Sequence, residues 1–210
     1  QQYGVASHYI VALWGIETYY GKYTGKVPII DALVTLAYDG RRSAFFRAEL
    51  MNALKIIDAG HVSYQNMKGS WAGAMGQVQF MPSSFLRYAV DGNKDGRIDL
   101  WRTPEDYLSS AANYLHQVGW QDRQIWGREV LVPASVIAEE RRSLADWQRL
   151  GVRRLDGNDL PQADVEATLI QPEGGQGRAF LVYDNYHALM KWNRAHSFAL
   201  AVGLLADRLK

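Results

Sequence analysis

Along the front of the chain, apolar residues recur at the three- and four-residue spacing of a single helix face. Ile10, Val11, Leu13, Trp14 and Glu17 follow that spacing, with Ser7 as the expected N-cap and Gly21 as the expected stop. Pro28 suits the first position of a helix over Ile29 to Tyr38 that ends at Asp39-Gly40, and Ser43 caps a third helix, Ala44 to Ala59, ended by Gly60. Between Gly69 and Gly76 glycines and small residues break the period, and helix resumes near Pro82. Thr103-Pro104-Glu105-Asp106 joins a cap, a proline at the first helical position and an acidic first turn. A helix therefore runs through Tyr107, Leu108, Ala111, Tyr114, Leu115 and Val118 to Gly119.

Strand signals come later, at Arg128 to Val132, Val165 to Ile170 and Ala179 to Tyr183, and the Pro-Glu-Gly-Gly-Gln-Gly stretch between the last two reads as a hairpin loop. Tyr186 to Trp192 and Phe198 to Leu209 close the chain as helices. The sum is an α+β arrangement, mostly α, with a small antiparallel β insert. The expected organisation is a single domain over 1–210, with a helical core of 1–127 and 184–210 and a strand-bearing insert of 128–183.

The 210 residues suffice to bury a core without staples. A hydrophobic content of 48% excludes a disordered chain, and no apolar run reaches the roughly 18 residues of a membrane span. Lysine plus arginine, 23, nearly balance aspartate plus glutamate, 22, which argues against blanket attraction to nucleic acid or anionic membrane. The lack of cysteine removes disulfides, cysteine zinc sites and thiol catalysis, and leaves the compartment open. Seven tryptophans, twelve tyrosines and six phenylalanines suit a sugar or peptide groove as well as a core. Gln1-Gln2-Tyr3-Gly4 shows no signal-peptide pattern, so the chain is either cytoplasmic or a mature or trimmed form.

Several motifs fail on inspection. Gly21 to Val27 imitates a phosphate loop, but its glycine spacing is one short and Val27 stands where a magnesium-holding hydroxyl is required. His8, His61, His116, His187 and His196 form no HExxH pair, and no GxSxG elbow is present.

Asp91 to Asp99 matches the first nine positions of an EF-hand calcium loop. Oxygen side chains stand at positions 1, 3, 5 and 9 (Asp91, Asn93, Asp95, Asp99), glycine at 6 (Gly96), and Arg97 at 7 contributes only its carbonyl. Alternate residues of a tight turn can bring several oxygens to one hard cation; the competing reading is a polar turn with no ion. Position 12 is Arg102 instead of an acid, and Glu105 or Asp106, in the first turn of the next helix, could close the shell from there.

Glu17 ends an apolar helix with Leu13 and Trp14 one turn before it on the same face. A carboxyl held against apolar and indole surface loses solvation, and its pKa rises toward the range of a proton donor near neutral pH. A glutamate at a helix end also commonly lies in water or in an ion pair. In the Gly69 to Ser84 run the small residues allow close backbone approach. Ser70 and Gln79 can bond hydroxyl and acetamido groups there, while a tight packing turn explains the same residues without a ligand.

Taken in order, Gly15-Ile16-Glu17-Thr18 with Tyr20-Gly21, the Ser70 to Ser84 run, the calcium loop and Trp192-Asn193-Arg194 resemble the B-type lytic murein transglycosylases over nearly the whole chain. The resemblance implies a lysozyme-like catalytic domain of the bacterial periplasm, soluble or anchored to the outer membrane through a missing N-terminus. Its partner would be peptidoglycan glycan strands, cut non-hydrolytically between MurNAc and GlcNAc to leave 1,6-anhydroMurNAc ends. It makes Glu17 the single catalytic acid/base and places Ser70, Gln79, Tyr114 and Asn193 along the substrate groove. It also implies a structural Ca2+ held by Asp91, Asn93, Asp95, the Arg97 carbonyl and Asp106 in a loop spanning 91–106. No organic cofactor is implied. Where some members carry tyrosines, this chain has Trp192 and Phe198, which removes phenolic hydrogen bonds from the closing segment. The start, sixteen residues ahead of Glu17, implies that upstream helices are lacking. The alternatives are a hydrolytic lysozyme-type muramidase and a non-catalytic, calcium-stabilised peptidoglycan-binding module.

Overall fold

The computed structural model describes residues 2–136, 140–175 and 177–210. Its contacts divide the chain into two compact units, Gln1–Gln117 and Val118–Lys210.

The first unit carries α1 (Ser7–Thr18), α2 (Ile29–Tyr38), α3 (Ser43–Asp58), α4 (Pro82–Tyr88) and α5 (Pro104–Gln117), together with an antiparallel ladder of β1 (Val27–Pro28) and β2 (Lys68–Gly69). α2 packs on α3, α3 on α4, α4 on α5, and α1 on α5. Leu13, Ile29, Leu33, Ile56, Met67, Met75, Phe85 and Leu100 are fully buried at its centre. Each such side chain contributes roughly 1.5–3 kcal/mol of transfer free energy, set against the cost of ordering it.

The helices fall where the apolar period places them, but several of their caps differ. Pro28 is extended in the N-cap position of α2, not at its first helical position, because it pairs with Lys68 in the ladder. Ser43 opens α3 instead of capping it: its hydroxyl donates to the carbonyl of Ala37 (2.7 Å) and ties α2 to α3. Ser7 likewise lies inside α1, with Ala6 as the cap. The buried carboxylate of Glu49, on α3, accepts the Ser83 N–H (2.8 Å) and hydroxyl (2.6 Å), satisfying donors at the start of α4.

The second unit carries β3 (Gly127–Leu131), β4 (Arg141–Ser143), α6 (Leu144–Arg149), β5 (Arg153–Arg154), β6 (Glu166–Ile170), β7 (Ala179–Val182), α7 (Asp184–Trp192) and α8 (His196–Arg208). Its antiparallel sheet runs β4-β6-β7-β3-β5, with Leu169 opposite Leu181 and Glu129 opposite Phe180. β6 and β7 form the expected hairpin; Gln176 of its loop lies outside the described residues. Leu169, Leu181, Trp147 and Val152 are buried in one cluster, and the Trp147 indole donates to the Ala167 carbonyl (2.9 Å). α7 packs on β7, and the Trp126 ring lies near those of Phe180 and Tyr186. Residues 118–127 and the two closing helices thus belong with the sheet, whereas the sequence grouped them with the front helices.

Candidate active site

Glu17 is half-buried in the last turn of α1. That helix ends at Thr18, three residues before the expected glycine stop, because Tyr19 (φ 52°), Tyr20 (φ 56°) and Gly21 (φ 83°) all turn left-handed. Left-handed backbone at two tyrosines is costly and must be held by its surroundings. Tyr20 folds back over Gly15, where an added Cβ would stand 2.8 Å from its ring, and meets Trp14 edge-on at 5.5 Å. The Thr18 hydroxyl accepts the Gly21 N–H (3.1 Å) and donates to the Gln77 carbonyl (2.9 Å). A side chain at Gly21 would come within 2.4 Å of Gln77 Oε1.

Gln77 joins three segments. Its Oε1 accepts the Trp14 indole N–H (2.8 Å), its Nε2 donates to the Trp101 carbonyl (3.0 Å), and its main-chain N–H donates to the Leu100 carbonyl (2.8 Å). It therefore fixes the end of α1, and Glu17 with it, against both the small-residue loop and the exit of the 91–99 loop. The sequence reading passed over Gln77: nothing in its spacing marks it beyond a place in the Gly69 to Ser84 run.

Ser70 and Gln79 come together through that run. The Ser70 hydroxyl accepts the Ala74 N–H (3.0 Å) while the Ser70 N–H donates to the Ala74 carbonyl (2.8 Å), closing a tight turn. Gln79 is held left-handed (φ 51°), and its Nε2 donates to the carbonyls of Thr24 (3.1 Å) and Gly76 (2.9 Å). Tyr114, on α5, is buried against the rings of Phe80 (5.8 Å) and Tyr88 (4.5 Å). Burial pushes its phenol up to about 12, so it stays protonated at neutral pH. Asn193 lies in the second unit, exposed, with its Oδ1 accepting the Ala195 N–H (3.1 Å).

The 91–99 loop is drawn tight by its own side chains. Asp91 accepts the N–H groups of Asp95 (3.1 Å) and Gly96 (2.8 Å), and Asp95 accepts that of Arg97 (2.9 Å). Hydrogen bonds from the Asn93 side chain and the Arg97 backbone hold the Asp95 carboxyl below the usual range. Gly96 takes φ 89°, as its place in the turn requires. Asp106, 1% exposed, reaches back from α5 to accept the N–H groups of Gly92 (2.8 Å) and Asp99 (2.7 Å), so one carboxylate pins both ends of the loop. Among the described residues no three His, Asp or Glu side chains stand ready around a metal. The donor set of this loop draws also on an amide oxygen, Asn93, and a main-chain carbonyl, Arg97. Each Asp106 oxygen keeps a lone pair beyond the N–H it accepts.

Comparison with known proteins gives these features a context. A family model described as the transglycosylase SLT domain matches residues 1–207. The membrane-bound lytic murein transglycosylase B of Escherichia coli K12 is 34% identical over 220 residues, covering 99% of this chain and 58% of that protein. SltB3 of Pseudomonas aeruginosa, solved in complex with NAG-anhNAM-pentapeptide, superposes with a TM-score of 0.96 at 46% identity, covering 99% of this chain and 57% of that one. The Escherichia coli lytic transglycosylase Slt35, solved in complex with calcium, matches at a TM-score of 0.86 and 33% identity, over 99% of this chain and 67% of that one. The chain thus spans a little more than half the length of the first two relatives. Its fold is the mostly helical, lysozyme-like α+β class of these enzymes. The chain belongs to the family of transglycosylase SLT domains, within the B-type lytic murein transglycosylases.

Proposed function

We propose that this chain is the catalytic part of a peptidoglycan lytic transglycosylase acting in the bacterial periplasm. The observation that carries the reading is the placement of Glu17. It is a half-buried carboxyl one turn after Trp14, on a helix end that Thr18 and Gln77 tie to the loop bearing Ser70 and Gln79.

In this reading Glu17 is protonated at the start and donates its proton to the glycosidic oxygen as the bond between that oxygen and C1 of MurNAc breaks. The muramic N-acetyl group stabilises the positive charge left at C1, so no second carboxylate is needed. Glu17, now a carboxylate, then takes the proton of the C6 hydroxyl as that oxygen bonds to C1. Acid and base are restored, water is not consumed, and the product carries a 1,6-anhydro ring. The Ser70 hydroxyl and the Gln79 carbonyl orient hydroxyl and acetamido groups, and Tyr114 backs the groove from α5; the substrate contact of Asn193 rests on the family resemblance alone.

Asp91, Asn93, Asp95, the Arg97 carbonyl and Asp106 would hold a structural Ca2+ in an EF-hand-like loop. A bound ion would supply no reacting group; its charge would offset that of the three carboxylates in a loop that leads to Leu100 and Trp101, the segment that Gln77 grips.

Mass spectrometry of the material released from purified sacculi tests the reading. Anhydromuropeptides, lighter by one water than hydrolytic products, are expected. Hydrated ends would make the chain a muramidase, and binding to sacculi without release would make it a non-catalytic module.

A further inference from the structure

His61 lies just beyond the end of α3. Its N–H donates to the Ile56 carbonyl (3.3 Å) as the chain leaves that helix, and its ring is tilted against that of Phe85 in α4, with 5.5 Å between centroids. Phe85 is buried, so the imidazole is braced against a core wall. From there His61 meets the 91–99 loop twice. Its Nδ1 accepts the Ile98 N–H (3.2 Å), and its carbonyl accepts from Arg97 Nη2 (3.1 Å).

The first contact bears on the seventh position of the loop. The Arg97 C=O and the Ile98 N–H belong to one peptide group, and no peptide among the described residues is cis. In a planar trans peptide these two bonds point in opposite directions. With its N–H drawn to His61, the group turns the Arg97 carbonyl away from His61. The flanking N–H groups find partners within the proposed calcium set: that of Arg97 reaches Asp95 Oδ1 (2.9 Å) and that of Asp99 reaches Asp106 Oδ2 (2.7 Å). Of three successive N–H groups, the middle one alone goes to a residue outside that set. The second contact directs the Arg97 guanidinium to the His61 carbonyl, so the charge of that side chain is engaged away from the carboxylates.

We propose that His61 is a positioning residue for calcium: it sets the peptide plane whose carbonyl fills the seventh position and so raises the affinity of the loop for the ion. The inference rests on the reading of the 91–106 loop as a Ca2+ site and deepens it, because it extends that site to the end of α3. A carbonyl already held in place does not have to be ordered when the ion binds. A partner that orients a ligand in this way is worth about 10- to 100-fold in metal affinity.

Calorimetric titration of the whole chain with calcium tests it. His61→Phe keeps a ring against Phe85 and leaves the Ile98 N–H without its acceptor, and its Kd for calcium should rise about tenfold. His61→Asn carries an acceptor oxygen near the place of Nδ1 and should bind nearly as tightly as wild type. His61→Gln carries that oxygen one carbon farther out, near the place of Nε2, and should be weakened as His61→Phe is. All three keep the main-chain carbonyl that Arg97 meets, and the comparison of Asn with Gln decides the matter should the Phe variant not fold. Equal affinity in His61→Asn and His61→Gln, or wild-type affinity in His61→Phe, overturns the inference and leaves the calcium site standing. A wild-type protein that binds no calcium at millimolar concentration overturns both.

Discussion

Replacing Gln77 with alanine probes how the helix that bears Glu17 is held. The change removes the acceptor of the Trp14 indole N–H at 2.8 Å and the donor to the Trp101 carbonyl at 3.0 Å. The main-chain bonds of residue 77 to Leu100 and Thr18 survive, so the loop keeps its path. Two neutral hydrogen bonds contribute about 1 kcal/mol each, and an indole N–H left without its partner adds about 1–3 kcal/mol. The total, roughly 3–5 kcal/mol, corresponds to a fall in Tm of about 6–20 °C for a chain of this size. The effect on turnover should be larger than stability alone implies. Glu17 lies on the same helix end, and a displacement of about 1 Å at a reacting group can cost about 100-fold in rate. That loss should appear in kcat more than in KM. Gln77→Glu sharpens the test: it keeps an acceptor for Trp14 and sets a carboxylate oxygen against the Trp101 carbonyl, so it should fall between wild type and alanine in stability. Thermal melting and steady-state turnover on sacculi read both effects. A Gln77→Ala protein that melts within about 1 °C of wild type and turns over normally would refute the positioning role.

Two further outcomes concern calcium and pH. Asp106→Ala should lower Tm even in chelator, because it strips two buried N–H groups of their acceptor, and should abolish the additional rise in Tm that millimolar calcium gives the wild-type protein; an equal calcium response in both would remove Asp106 from the ligand set. Tyr114 and Tyr186 both have phenols pushed by burial up to about 12. The unfolded chain releases these protons near pH 10 while the folded chain retains them, so the native state binds more protons in between. Stability is then fully present below pH 10 and lost as pH rises toward 12, and a Tm that stays flat over that interval would contradict the burial of these rings.

The sequence disclosed what depends on local periodicity and local turn chemistry. The helices of the first unit and three strands of the sheet fall where the pattern places them, and the 91–99 loop closes on itself as its Asp and Gly spacing requires. β4, α6 and β5 have no counterpart in the sequence reading, because Arg141-Arg142 and Arg153-Arg154 lack the apolar alternation that marks a strand. In the sheet they are edge strands, where charged residues discourage pairing with another chain. Caps were misjudged where a hydroxyl had a tertiary partner, as Ser43 has in the Ala37 carbonyl. Of the candidate site, the sequence singles out Glu17, Ser70 and Gln79 as residues, but not the connection between them. It runs through the side chain of Gln77 and the left-handed backbone at Tyr19 and Tyr20, both of which exist only once distant segments have met. Glu49 shows the converse: a buried acid that looks chemically poised is occupied in completing the start of α4.

The central claim is that Glu17 alone moves the proton in both halves of a non-hydrolytic cleavage. Glu17→Gln keeps the shape of the side chain and removes its capacity to give and take that proton. Muropeptides released from sacculi by the two proteins, quantified by mass spectrometry, decide the matter. Wild type should yield 1,6-anhydromuramyl products, and Glu17→Gln, folded with an unchanged Tm, should release them more slowly by about 100-fold or more. Release of the same anhydro products at the wild-type rate by Glu17→Gln would contradict the account.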